Sequence, residues 1–343
     1  MSDSQATVVE NLLRTSRDRV EPALWSAIQT LEEPIREVCE YHFGWRDLDG
    51  VTRSRALALG KGIRPALVFL GAQAVDGGDG DAHEAAKAAA GIELIHNFSL
   101  VHDDIMDEDK TRRHRETVWS AFGQPAGILA GDALLCLGLN TGPVQWRGGG
   151  ELVRAVQELI HGQFLDLDFE ARQHVDLQTC IRMADLKTAA LTAAACALGG
   201  HSAGADDSEI EALRNYGRNF GLAFQLADDV LGITGSSGST GKAEKNDIWR
   251  RKRSLPVVYA LTQKTTAAQR LRDLYAQDQW TGDDVGEAHT IITALGAVEW
   301  AREESDGHVK AALDALTRSP RIANSRVLPQ LEALAVFASN RNL

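Results

Sequence analysis

The strongest constraint on the fold of this chain is a pattern that it carries twice. "GIELIHNFSLVHDDIMD" (91–107) and "YGRNFGLAFQLADDVLG" (216–232) each run a small-residue, mostly apolar segment into a pair of aspartates. A helix that is apolar on nearly every side is a buried helix. One that ends in carboxylates must open there onto a polar space. Two such helices can face each other across one cavity, so the expected architecture is a helical bundle around a lined interior.

The remainder of the chain agrees with this. Apolar residues recur at three- and four-residue spacing, only eight prolines occur among 343 residues, and no convincing alternating strands are present. The spacing predicts helices over 7–21, 23–41, 62–75, 82–108, 125–139, 150–171, 176–198, 207–233, 256–262, 283–295, 297–315 and 326–340. Glycine- and polar-rich connections such as "DGGDGDAH" and "NTGPVQWRGGG" separate several of them. No Pro-rich or charged linker divides the chain, and residues 1–343 are expected to form one helical domain.

In "LVHDDIMDEDKTRRHRETVW" (100–119), five carboxylates fall within seven positions, followed by three arginines and a histidine. Neighbouring carboxylates repel and raise each other's pKa, so a crowd of them calls for a cation. Asp103 and Asp107 are four apart and stack on one helical face, and hard oxygens so placed suit Mg2+, which shares its coordination with water and phosphate oxygens. The bland alternative is a solvated acidic helix end. In the second segment Gln225, Asp228, Asp229 and Gly232 follow the same spacing, against the alternative of an ordinary polar helix edge. Basic groups are placed as a diphosphate needs: Lys61 and Arg64 at a helix start, then Arg112 and Arg113 after the first aspartates. Lys187 beside Thr188 interrupts a small, apolar helix, which is costly unless the ammonium meets an anion or snorkels to the edge. The segment "GSSGSTGKAEKNDIWRRKRSLP" (235–256) reads as a lid whose Lys242 and Lys252 close over phosphate.

A net charge of -12 argues against a nucleic-acid partner, and the four cysteines form no CxxC pair. The first thirty residues carry both signs of charge, unlike a signal peptide, and no run reaches the roughly 18 apolar residues of a membrane span. A cytoplasmic location is the default expectation.

Taken in order, "GIELIHNFSLVHDDIMDEDKTRRHRETVW", "FGQPAGILAGDALL", "KTAAL", "FGLAFQLADDVLG" and "KRSLPVVYAL" make the chain similar to the trans-polyprenyl diphosphate synthases over roughly 55–262. The resemblance implies an all-α isoprenoid synthase fold, a helical bundle around a deep central cavity, usually in a homodimer. It implies that Asp103, Asp107 and Asp228 coordinate Mg2+, three ions per active site once diphosphate is bound, with Asp104 and Asp229 supporting them. Arg112, Lys187, Thr188, Gln225, Lys242 and Lys252 would then hold the allylic diphosphate, and Lys61, Arg64, His96 and Arg113 the isopentenyl diphosphate. Two motifs depart from the family pattern. Gly232 replaces the outer aspartate of the second DDxxD, and "LGKGIRP" carries Leu59 and Gly62 in a GGKRxRP-like segment.

The implied reaction joins isopentenyl diphosphate to an allylic diphosphate by ionisation, condensation and elimination. An aromatic Phe98, a small Ser99 and an uninterrupted Asp103–Asp107 motif resemble the geranylgeranyl-forming members, so the expected product is C20, with farnesyl diphosphate (C15) as the alternative. Phe98 could equally be simple core packing. A class I terpene cyclase would share the fold, but its NDxxSxxxE-like pattern is not found. An HD-type phosphohydrolase lacks its spaced histidines. A non-catalytic regulatory subunit of a heteromeric synthase is the non-enzyme alternative, and Gly232 is the feature that favours it.

Overall fold

The computed structural model describes residues 3–53, 60–77, 82–141, 148–172, 174–235, 246–277 and 279–340. Its regular structure is helical apart from one two-residue ladder. The first helix, α1 (Asp3–Ile28), runs straight through Pro22, where the sequence reading places a break, and the chain turns only before α2 (Ile35–His42). Val9, Leu13, Val20, Leu24 and Ile28 are all buried and keep helical spacing across the proline. Packing of that stripe outweighs a cost of about 3 kcal/mol for an internal proline.

Next come α3 (Ile63–Asp76) and α4 (Ala82–Met106). Ala88, Ala89, Ala90, Ile92, Leu94 and Ile95 of α4 are completely buried, so neighbours enclose it on all sides. Each such Leu or Ile contributes about 1.5–3 kcal/mol, and the aspartates at the helix end rest on a rigid support. The chain then forms a hairpin, β1 (Thr111–Arg112) with β2 (Arg115–Glu116), the strand pairing that alternation did not reveal. Arg113 and His114 at its tip take left-handed φ values of 51° and 62°, as in a type I′ turn.

After α5 (Val118–Phe122), α6 (Gln124–Thr141) packs along α4, and α7 (Gly149–Ala171) returns beside the cavity. The helix predicted over 176–198 is interrupted: α8 (Leu177–Ala184) passes through a π turn (Asp185–Ala189) into α9 (Ala190–Ser202). A capping box starts α10 (Asp207–Thr234), in which Asp206 accepts from the Glu209 N–H and Glu209 returns to the Asp206 N–H. The short α11 (Asn246–Trp249) precedes α12 (Leu255–Thr262), α13 (Thr266–Tyr275), α14 (Gly282–Ala294), α15 (Ala297–Leu316), α16 (Pro320–Ala323) and α17 (Leu328–Asn340).

Two apolar cores result, and α10 belongs to both. Leu213, Tyr216 and Phe220 join the core built on α1, α3, α4, α6, α9 and α17, while Leu226, Val230 and Ile233 join that of α8 and α12–α15. Among the described residues no helix is long and apolar enough to cross a membrane.

Candidate active site

A cavity of about 610 Å³ opens between the start of α3, the end of α4, the hairpin, α7, the π turn and the end of α10. Lys61, Arg64, His96, Ser99, Asp103, Arg112, Arg113, Lys187, Thr188, Gln225 and Asp228 all line it. Residues scattered over much of the sequence therefore converge on one space. Asp107 lies one turn beyond Asp103, just past the end of α4, and is exposed.

The two aspartates of each pair point differently, because successive helical residues are about 100° apart. Asp103 faces the cavity, where burial pushes its carboxyl up to about 6, with Lys187 opposing and Asp107 adding to the shift. Asp104 is buried and accepts from Arg112 Nε at 2.8 Å and Nη2 at 2.7 Å. It holds Arg112 at the cavity wall. In the second pair Asp228 is exposed to the cavity, whereas Asp229 turns away and is buried. Asp229 accepts from the Leu255 N–H at 2.9 Å, at the start of α12, and from Gln225 Nε2 at 2.7 Å. Gln225 in turn accepts from the Thr188 hydroxyl at 2.6 Å, so one chain of bonds ties the π turn, α10 and α12 together. The shared face read for Gln225, Asp228 and Asp229 is thus corrected: Asp229 serves the scaffold. Burial pushes its carboxyl up to about 7, with Lys252 opposing.

The cationic side is equally structured. Gly62 caps α3 with φ of 71°, and a Cβ there would lie 2.5 Å from Cγ of Arg17. Arg17 also donates to the Gly60 carbonyl at 3.0 Å. This departure from the family pattern therefore admits a side chain of α1 that fixes the turn bearing Lys61 and Arg64. His96 is held well below the ordinary imidazole range by burial and by Arg64 and Arg113, and so stays neutral. Lys252 does not line the cavity; burial lowers its pKa, but Asp166, Asp229, Asp247 and Asp228 outweigh this and raise it. Lys242 lies outside the described residues.

Lys187 meets its anion inside the protein: Nζ lies 2.5 Å from Oδ2 of Asp166 on α7. Burial pushes the Asp166 carboxyl up, but Lys187 and Lys252 override this and hold it below the ordinary range. The close packing of α7 on the π turn needs Gly162, where a Cβ would lie 2.3 Å from the Lys187 backbone nitrogen. Sequence reading missed Asp166, and with it Gln163, which is buried, lines the cavity and has neither amide atom hydrogen-bonded. The signal was available in "LIHGQFLDLDFE" (159–170), where Leu159, Gln163 and Asp166 share a helical stripe. It also missed Glu93, a carboxylate within the apolar run of α4, which lines the cavity near Arg64 and Arg113.

Away from the charges the wall is apolar, with Leu159, Phe224 and Leu231. Ser99 reaches it. Phe98 does not; its ring is buried edge-on against His102, 5.1 Å between centroids.

The donor set fits Mg2+ that is shared with a ligand. Among the described residues no three His, Cys, Asp or Glu side chains converge tightly enough to hold a metal alone. Asp103 and Asp107, one turn apart, offer carboxylate oxygens whose mutual repulsion a cation relieves, and Asp228 shares with Asp103 a cavity also lined by Lys61, Arg64, Arg112, Arg113 and Lys187.

The Polyprenyl synthetase family model matches residues 48–292. The chain is 41% identical over 327 residues to a geranylgeranyl diphosphate synthase of Mycobacterium tuberculosis, covering 93% of this chain and 92% of that one. It is 40% identical over 316 residues to a (2E,6E)-farnesyl diphosphate synthase of Mycobacterium bovis, covering 90% and 87%. The crystal structure of a polyprenyl synthetase from Streptomyces coelicolor superposes with a TM-score of 0.88 at 36% identity, covering 96% of this chain and 99% of that one.

Proposed function

The chain belongs to the polyprenyl synthetase family and is a trans-prenyltransferase, and on that premise we propose that it condenses isopentenyl diphosphate with an allylic diphosphate to give mainly the C20 product geranylgeranyl diphosphate. The observation that carries this reading is the convergence of Asp103 and Asp228, from two helices, with five cations on the mouth of one partly apolar cavity.

Asp103, Asp107 and Asp228 would hold Mg2+, three ions with diphosphate in place, which would supply positive charge against the phosphate oxygens. Asp104 and Asp229 fix the surroundings. Lys187, Arg112, Thr188 and Gln225 grip the allylic diphosphate, while Lys61, Arg64, neutral His96 and Arg113 grip the isopentenyl diphosphate. The allylic C–O bond breaks with its electron pair leaving on the diphosphate, and the isopentenyl double bond attacks the cation. A proton then passes from the adduct to the departing diphosphate. Leu159, Phe224 and Leu231 keep water from quenching the cation.

The product-length reading rests on Ser99. It stands four residues before Asp103, about 6 Å deeper at 1.5 Å per residue, and it lines the cavity wall. Ser99→Phe is expected to shift the product from C20 to C15, read by chromatography of the dephosphorylated alcohols. Phe98→Ala should lengthen it by opening the space behind, at a stability cost of about 3–5 kcal/mol. Unchanged chain length in both folded variants would remove these residues from length control.

The partner expected from the family is a second copy. Leu129 on α6 (60% exposed) and Phe164 on α7 (66% exposed) lead apolar residues that include Ile128, Val153 and Ile160. Sedimentation should show a dimer that Leu129→Glu with Phe164→Glu converts to monomer. A wild-type monomer would contradict the assembly.

A further inference from the structure

Gly232 stands one turn after Asp228 on α10, where the family pattern carries its outer carboxylate. The space its side chain would need is taken. A Cβ built on Gly232 lies 2.1 Å from Oδ2 and 2.5 Å from Cγ of Asp247, a residue of α11. A residue larger than glycine fits there only if the Asp247 carboxylate turns aside, and glycine inside a helix costs about 1 kcal/mol relative to alanine.

The approach of Asp247 is itself constrained. Its carbonyl accepts from the Lys252 N–H at 2.8 Å, which closes the turn carrying that lysine. Its carboxylate acts electrostatically on both Asp229 and the Lys252 ammonium. A negative side chain thus leans on a helix end that already carries Asp228 and Asp229, an unfavourable neighbourhood unless cations balance it.

We propose that Asp247 is the missing outer carboxylate: the charge absent at position 232 is delivered from α11 to the same place beside Asp228, completing the second carboxylate set toward Mg2+-bound diphosphate. This rests on the reading of the cavity as a Mg2+ and diphosphate site. It removes the argument that Gly232 marks a non-catalytic subunit, because the carboxylate is relocated and not lost.

Methylenediphosphonate, a diphosphate that does not hydrolyse, is the probe, and its affinity by titration calorimetry with Mg2+ and with EDTA is the readout. Asp247→Asn should weaken the Mg2+-dependent affinity by about tenfold to a hundredfold and leave the EDTA value unchanged. Gly232→Asp alone should also weaken it, through collision with Asp247. Gly232→Asp combined with Asp247→Gly should recover most of the affinity, since the carboxylate then returns to α10. If wild type shows Mg2+-dependent affinity and Asp247→Asn matches it, the inference is overturned alone. A wild type with no such affinity removes the site reading and the inference together. Should Asp247→Asn fail to fold, the double variant decides: recovered binding supports relocation, and absent binding overturns it.

Discussion

Asp103→Ala is expected to lower turnover at least about a hundredfold while the helical circular dichroism stays as in wild type. Asp103 lies near the end of α4, whose earlier turns are largely buried, so its position is rigid, but its side chain faces the cavity and supports no other element. Its deletion removes charge complementarity where negative charge accumulates on the departing diphosphate. Asp103→Asn separates charge from shape and should lose nearly as much. Near-wild-type turnover in either folded variant would contradict the role given to Asp103.

The second large effect divides two adjacent residues. Asp228→Ala should nearly abolish turnover with little change in Tm, because Asp228 is exposed to the cavity. Asp229→Ala should instead lower Tm. It deletes the acceptor for the Leu255 N–H and for Gln225, and hydrogen bonds to charged groups are worth about 1.5–3 kcal/mol each. Activity of the Asp229 variant should return on cooling as the α10–α12 tie is needed less. Equal thermal denaturation of both variants would show that the pair acts as one unit.

How much of this was legible in the sequence follows from what each feature depends on. The burial of α4 and the cavity-facing position of Asp103 rest on periodicity over one continuous segment, and both were readable. Lys187 could be recognised as an ammonium in need of an anion, but its partner Asp166 sits on another helix and the π turn that presents it has no compositional mark. The hairpin was hidden for a similar reason: Arg113 and His114 adopt the conformation usually given to Asn-Gly, held there by surroundings and not by residue type. Pro22 misled, since a local cost was set against packing that only the assembled bundle provides. Asp229 could have been turned from the cavity by the 100° step alone, yet its bond to Leu255 is visible only in three dimensions. The occupants of the spaces beside Gly62 and Gly232, Arg17 and Asp247, are likewise facts of tertiary packing.

The central claim is that the two carboxylate-bearing helices and the surrounding cations form a working prenyl-transfer site. The most direct measurement is incubation of the purified protein with radiolabelled isopentenyl diphosphate and each of the C5, C10 and C15 allylic diphosphates, with Mg2+ and with EDTA. The account predicts label in a C20 diphosphate, dependent on an allylic primer and lost in EDTA. Absence of any elongated product with every primer in the presence of Mg2+ would contradict it.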